Sequence, residues 1–97
     1  MPTTKKPDQI AHLARTLHVA GDPNRLRILC HLFRVRTACV SDVAGALDLG
    51  VALVSHHLKA LADADVLTAA REGKRTCYAL APTREVGDLK RFICNHT

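Results

Sequence analysis

The run from Ser41 to Leu80, SDVAGALDLGVALVSHHLKALADADVLTAAREGKRTCYAL, decides the fold. Ser41 can cap a short helix over residues 42–47, in which Val43, Ala46 and Leu47 make an apolar stripe. Gly50 interrupts that pattern. A longer helix is expected over residues 52–64, with Leu53, Val54, His57, Leu58 and Leu61 inward and Ser55, His56, Lys59 and Ala62 on other faces. A strand-like run over 66–71 follows, then a tight turn at Glu72-Gly73-Lys74 and a second run over 75–80. That pattern is a β-hairpin with a charged tip.

Upstream, Ile10, Leu13, Leu17 and Ala20 recur at three- and four-residue steps, so a first amphipathic helix runs from about Asp8 to Gly21. Asp22-Pro23 restarts the chain as a cap and first helical position, and Leu26, Leu29, Cys30 and Phe33 share one face of a helix over 23–34. Downstream, Pro82 ends the hairpin and Thr83 caps a last helix carrying Val86, Leu89, Phe92 and Ile93. The expected order is α-α-α-α-β-β-α, mainly α with a small β-hairpin. Two short helices followed by a basic-tipped hairpin predict a winged helix-turn-helix. In that fold the second helix of the pair enters the DNA major groove, the first crosses the backbone, and the wing's cations reach flanking phosphate. Residues 1–7, with two prolines before any periodic pattern, read as a flexible arm, and residues 8–97 as one DNA-binding and dimerisation domain.

Composition agrees with one small domain. The 97 residues are 47% apolar, which suits a single core, and only 3% aromatic, which argues against a base-stacking sheet or an aromatic-lined cleft. Fourteen Lys and Arg against nine Asp and Glu give a net charge of +5, so an anionic partner is expected, with nucleic acid first. No apolar run reaches the roughly 20 residues of a membrane span, and the polar amino terminus does not read as a signal peptide. A cytoplasmic location without membrane partners is expected, where the four cysteines are free, metal-binding or redox-active rather than a disulfide framework. Enzyme chemistry is excluded: the only glutamates are Glu72 and Glu85, no Gly-rich phosphate loop is present, and no third group orients a Cys/His pair.

Four segments carry a resemblance across nearly all of residues 9–94: Gly21-Asp22-Pro23-Asn24-Arg25-Leu26-Arg27-Ile28-Leu29, Cys39-Val40-Ser41-Asp42-Val43-Ala44, Val54-Ser55-His56-His57-Leu58-Lys59-Ala60-Leu61 and Arg71-Glu72-Gly73-Lys74. In that order they closely resemble the ArsR/SmtB family of winged-helix repressors. The resemblance implies a homodimer built on the first and last helices. It also implies a double-stranded operator as partner, released when an inducer reacts with cysteine thiolates. The family's recognition helix usually opens with polar groups; here Gly50-Val51-Ala52-Leu53 offers apolar contacts only. Base readout then rests on Ser55 and His56, with Val51 and Ala52 supplying shape and Lys59 at the interface. His57, beside Leu58, either packs inward or touches phosphate. Arg71, Lys74 and Arg75 are the wing's phosphate contacts, and Arg25 and Arg27 are assigned to local ion pairs.

No cofactor is needed for DNA binding in this reading, and two inducer chemistries stay open. Cys39 matches the leading cysteine of the Cys-Val-Cys element with which some family members bind soft metals or arsenic(III). Ser41 stands at the second position, so a site for arsenic(III), cadmium or mercury would have to recruit Cys30, Cys94 or His96. The family's Asp and His pattern for zinc is missing from residues 83–96. Alternatively, Cys30 and Cys94 resemble the cysteine pair of the family's persulfide and oxidant sensors. Cys77 is expected to face outward between Thr76 and Tyr78, without a role, and His12, His18, His31 and His96 complete no ligand spacing. Two rival functions are a winged-helix module for protein contacts only and a DNA-binding regulator with no small-molecule switch.

Overall fold

The computed structural model describes residues 6–97, so the expected arm over 1–7 lies mostly outside the described residues, and Pro7 is already helical. The elements are α1 (Pro7–Ala20), α2 (Pro23–Val35), β1 (Thr37–Cys39), α3 (Val40–Leu47), α4 (Val51–Asp63), β2 (Leu67–Glu72), β3 (Arg75–Leu80) and α5 (Arg84–Asn95). The order is mainly helical with a small antiparallel sheet, as a winged helix-turn-helix requires.

Local chemistry explains most boundaries. The Asp22 carboxylate accepts the Arg25 backbone N–H at 3.1 Å with Pro23 in the first turn, and Thr83 Oγ1 accepts the Val86 N–H at 3.2 Å. Gly21 sits where space is tight: a Cβ there would lie 3.2 Å from the Leu17 carbonyl oxygen. At the hairpin, Glu72 pairs with Arg75 around a two-residue loop. Gly73 alone there takes a positive φ, +64°, the pattern of a type II′ turn whose twist suits the flanking strands.

Two expectations are corrected. Ser41 does not cap α3; Cys39 is its N-cap residue, and the Asp42 carboxylate accepts the Cys39 N–H at 3.3 Å. Gly50 interrupts the helical pattern as expected, as the N-cap of α4 at φ −65°, and the left-handed residue that closes α3 is Asp48 (φ 55°), which a short polar side chain tolerates. A strand not expected at all, β1, adds to the hairpin in the order β1-β3-β2, with Thr37 opposite Ala79, Ala38 opposite Tyr78 and Cys39 opposite Cys77.

The core lies where α2, α3 and α4 meet the sheet. Ile28, Leu29, Leu32, Val43, Val54, Leu58, Leu61 and Val66 are its largest fully buried side chains. Leu53, expected inward, is 42% exposed and faces away from it. Replacing Leu58 with Ala should therefore cost about 2–5 kcal/mol of unfolding free energy, whereas Leu53→Ala should stay within about 0.5 kcal/mol. Urea denaturation midpoints of the two variants check this, and equal losses would place Leu53 in the core.

Candidate nucleic-acid interface

The α3–α4 pair and the hairpin enclose a groove of about 350 Å3. One wall comes from α4 (Val51, Ser55, Lys59), the other from the wing (Lys74, Arg75, Thr76), and the end of β1 and start of α3 close it at Cys39 and Ser41. Val51, Ala52, His56 and Lys59 are exposed and Ser55 is half-buried, so five of the expected contact residues share the accessible side of one helix.

The cations differ in their surroundings. Arg75 Nη2 lies 2.8 Å from Asp42 Oδ2 and 3.4 Å from Ser41 Oγ, so this wing cation is paired with the first turn of α3. Both partners are more than half exposed, and such a pair is worth about 0–1 kcal/mol; it orients the wing more than it stabilises the fold. Arg71 Nε donates to the Gly73 carbonyl oxygen at 3.1 Å, which holds the hairpin tip. Lys59 and Lys74 are exposed at the two rims. Arg25 and Arg27, assigned to ion pairs, act through neutral acceptors: Arg25 bonds His57 and the Val19 carbonyl, and Arg27 bonds the Asn24 side chain and the Leu47 carbonyl at 2.9 Å.

His57 does not reach the groove face. It is buried, and its Nδ1 accepts a hydrogen bond from Arg25 Nε at 2.9 Å, while Nε2 stands 4.0 Å from Asp22 Oδ2. This ties the recognition-type helix to the first turn of α2. Burial pushes the His57 pKa below its ordinary 6.5; the nearby Asp22 opposes that shift, and the Arg25 and His56 charges add to it.

The cysteines separate into two sets. Cys39 and Cys77 stand opposite each other on β1 and β3 and are joined as a disulfide. Cys77 is 3% exposed, which corrects its expected outward placement: β3 is the central strand, covered by neighbours on both edges. A signal for the pair was absent from the sequence because β1 is too short to show alternation. Cys30 and Cys94 are free and line a second groove, of about 500 Å3, with Leu26, Phe33 and His31. Cys39 is thus not brought to Cys30 or Cys94. Among the described residues no three His, Cys, Asp or Glu side chains are placed to hold a metal ion together.

On α1 and α5 an apolar face stays uncovered: Leu17 is 63% and Phe92 62% exposed, with Ile10 and Leu13 also exposed. Leu13, Leu17, Leu89 and Phe92 line a cleft between the two helices.

Residues 22–69 match the family described as bacterial regulatory protein, arsR family. The chain is 32% identical over 95 residues to the transcriptional repressor SmtB homolog of Synechocystis sp., a match covering 98% of this chain and 70% of that protein. Among solved structures it is similar to the AntR antimony-specific transcriptional repressor (TM-score 0.80, 28% identity, covering 96% of this chain and 84% of that one). It is also similar to the homodimeric winged helix-turn-helix DNA-binding domain Mb0332 of Mycobacterium bovis (TM-score 0.78, 26% identity, covering 97% and 82%).

The lowered His57 pKa sets a sign for pH dependence. The folded state holds its proton less tightly than the unfolded chain, so this residue's stability contribution is complete above pH 6.5 and declines as pH falls below it. The unfolding midpoint of the wild type should drop between pH 7.5 and pH 5 by more than that of His57→Gln. Parallel pH profiles would show that the His57–Arg25 bond does not couple to protonation.

Proposed function

This chain belongs to the bacterial arsR family of regulatory proteins, and on that premise we propose that it is a DNA-binding transcriptional repressor, working as a homodimer and released from its operator by chemistry at cysteine thiolates. The observation that carries the DNA-binding part is the groove between α4 and the wing, with Lys59 on one rim and Lys74 on the other. In this reading α4 lies in the major groove, Ser55 and His56 meet base edges, and Val51 and Ala52 pack against them. Lys59, Arg71 and Lys74 reach phosphate, while Arg75 holds the wing against Asp42.

The uncovered α1 and α5 faces support the dimer. A chain of this size gains stability by burying such faces against a second copy, and the similar Mycobacterium bovis domain is described as homodimeric. Residues 6–97 then serve as one unit for both DNA binding and dimerisation.

For the inducer, Cys30 and Cys94 are the assigned thiols. They share a groove between α2 and α5, so a reaction there acts on the proposed dimer helix directly. Two thiols without a third ligand suit a reaction at sulfur better than capture in a closed cage of three or four ligands. A soft metal or metalloid, as the antimony-specific relative's name records for that protein, remains the second chemistry, because thiolates are soft ligands.

Affinity for duplex DNA should fall steeply with salt, and Lys59→Ala or Lys74→Ala should each flatten the log-affinity against log-salt slope by about one unit. Titrations at several salt concentrations measure this; a salt-independent or absent affinity would favour a protein-interaction module. Release from DNA upstream of its own gene should be assayed side by side with arsenite, cadmium, mercuric ion and a persulfide donor. Cys30→Ser and Cys94→Ser are each expected to abolish the response to the effective inducer. Release that survives in both variants removes that pair from the switch.

A further inference from the structure

The Cys39–Cys77 bridge belongs to neither of these roles, yet its position is specific. Cys39 ends β1 and is also the N-cap residue of α3, the first helix of the DNA-binding pair. Cys77 lies on β3, two residues beyond Arg75, which itself holds Asp42 of α3. The bridge therefore joins the wing covalently to the start of the helix pair across the floor of the interface. Both cysteines are buried, Cys39 at 8% exposure and Cys77 at 3%, but only Cys39 borders the groove between α4 and the wing.

From this we infer that Cys39–Cys77 is a reversible thiol-modification site, entered at Cys39 through the groove and shielded whenever duplex DNA fills that groove. The inference rests on the proposed DNA-facing role of the groove. Its ligands are small dithiols in one direction and hydroperoxides in the other. On opening, one thiolate of the dithiol attacks Cys39 Sγ, the bond to Cys77 breaks, and Cys77 leaves as a thiolate that takes up a proton. The second thiol of the reagent then displaces Cys39, so the reagent becomes a cyclic disulfide and two electrons and two protons pass to the cysteine pair. On closing, the Cys39 thiolate attacks one oxygen of the hydroperoxide, the O–O bond breaks, and a sulfenic acid forms. Cys77 displaces its oxygen as water, and the two thiol protons leave with the reduced peroxide products. Linkage is reciprocal for equilibria: a shift that DNA makes in the balance between bridged and open pair is matched by an equal shift in DNA affinity, whereas slower opening by shielding is a rate effect alone. The bridged form ties the wing to the closed end of the groove at the start of α3.

The test uses the full chain without substitutions. Peptide mapping after hydrogen peroxide should recover a Cys39–Cys77 cross-linked peptide, and dithiothreitol should open it. With duplex present at about ten times its Kd, the opening rate should fall about tenfold, as the unbound fraction does. The same opening measured at a salt concentration that releases the duplex serves as the internal reference. Absence of the Cys39–Cys77 peptide, or opening at an unchanged rate on protein that a gel shift shows to be fully bound, overturns the inference. Slowing that persists once salt has released the duplex overturns it too, since shielding would then not belong to the groove. A chain that shifts no duplex at low salt fails the DNA reading itself, while the peptide map still decides whether the bridge exists.

Discussion

Strand β3 is the constraint on which the rest depends. It is hydrogen-bonded to β2 on one side and to β1 on the other, so a hairpin that would be marginal alone becomes the middle of a three-stranded sheet. Because β1 runs straight into α3, that pairing carries the wing's position into the helix pair. The Arg75–Asp42 ion pair and the Cys39–Cys77 bridge repeat the same connection by side chains. Wing and recognition-type helix are therefore one unit, which a groove with two cationic rims needs.

The second tie runs through the middle of α4. His57 is turned into the protein and bound by Arg25, which reaches back to the α1–α2 junction at Val19, while the Asp22 cap stands beside the imidazole. None of these bonds is strong singly; a net hydrogen bond contributes about 0.5–1.5 kcal/mol. Their value is orientational. They set the rotation of α4, so that Leu58 and Leu61 enter the core and Ser55, His56 and Lys59 stay toward the groove side. Residues in the middle of the helix thus connect its fold to its exposed chemistry.

The helices and the hairpin were legible because their signals are local: apolar spacing, Asp22-Pro23 and Thr83 as caps, and a glycine where a two-residue loop needs positive φ. What escaped was set by tertiary pairing. Thr37-Ala38-Cys39 is too short to display alternation, so β1 was invisible, and with it the burial of Cys77. Arg75 is a wing cation as read, but nothing in its neighbourhood announced its pairing with Asp42, which is far away in sequence. Asp48 closes α3 in the left-handed region, a turn position that apolar spacing does not mark. The apolar opening of α4 at Val51 and Ala52 was readable, and those side chains are exposed as a contact surface requires.

The central claim is that α4 and the wing form a single DNA-facing surface. Backbone hydrogen exchange followed by mass spectrometry, with and without duplex from upstream of the gene, tests it most directly. Added protection is expected over residues 51–59 and 71–76 together, losing strength in step as salt is raised. Protection confined to α1 and α5, or to either wall of the groove without the other, would contradict it.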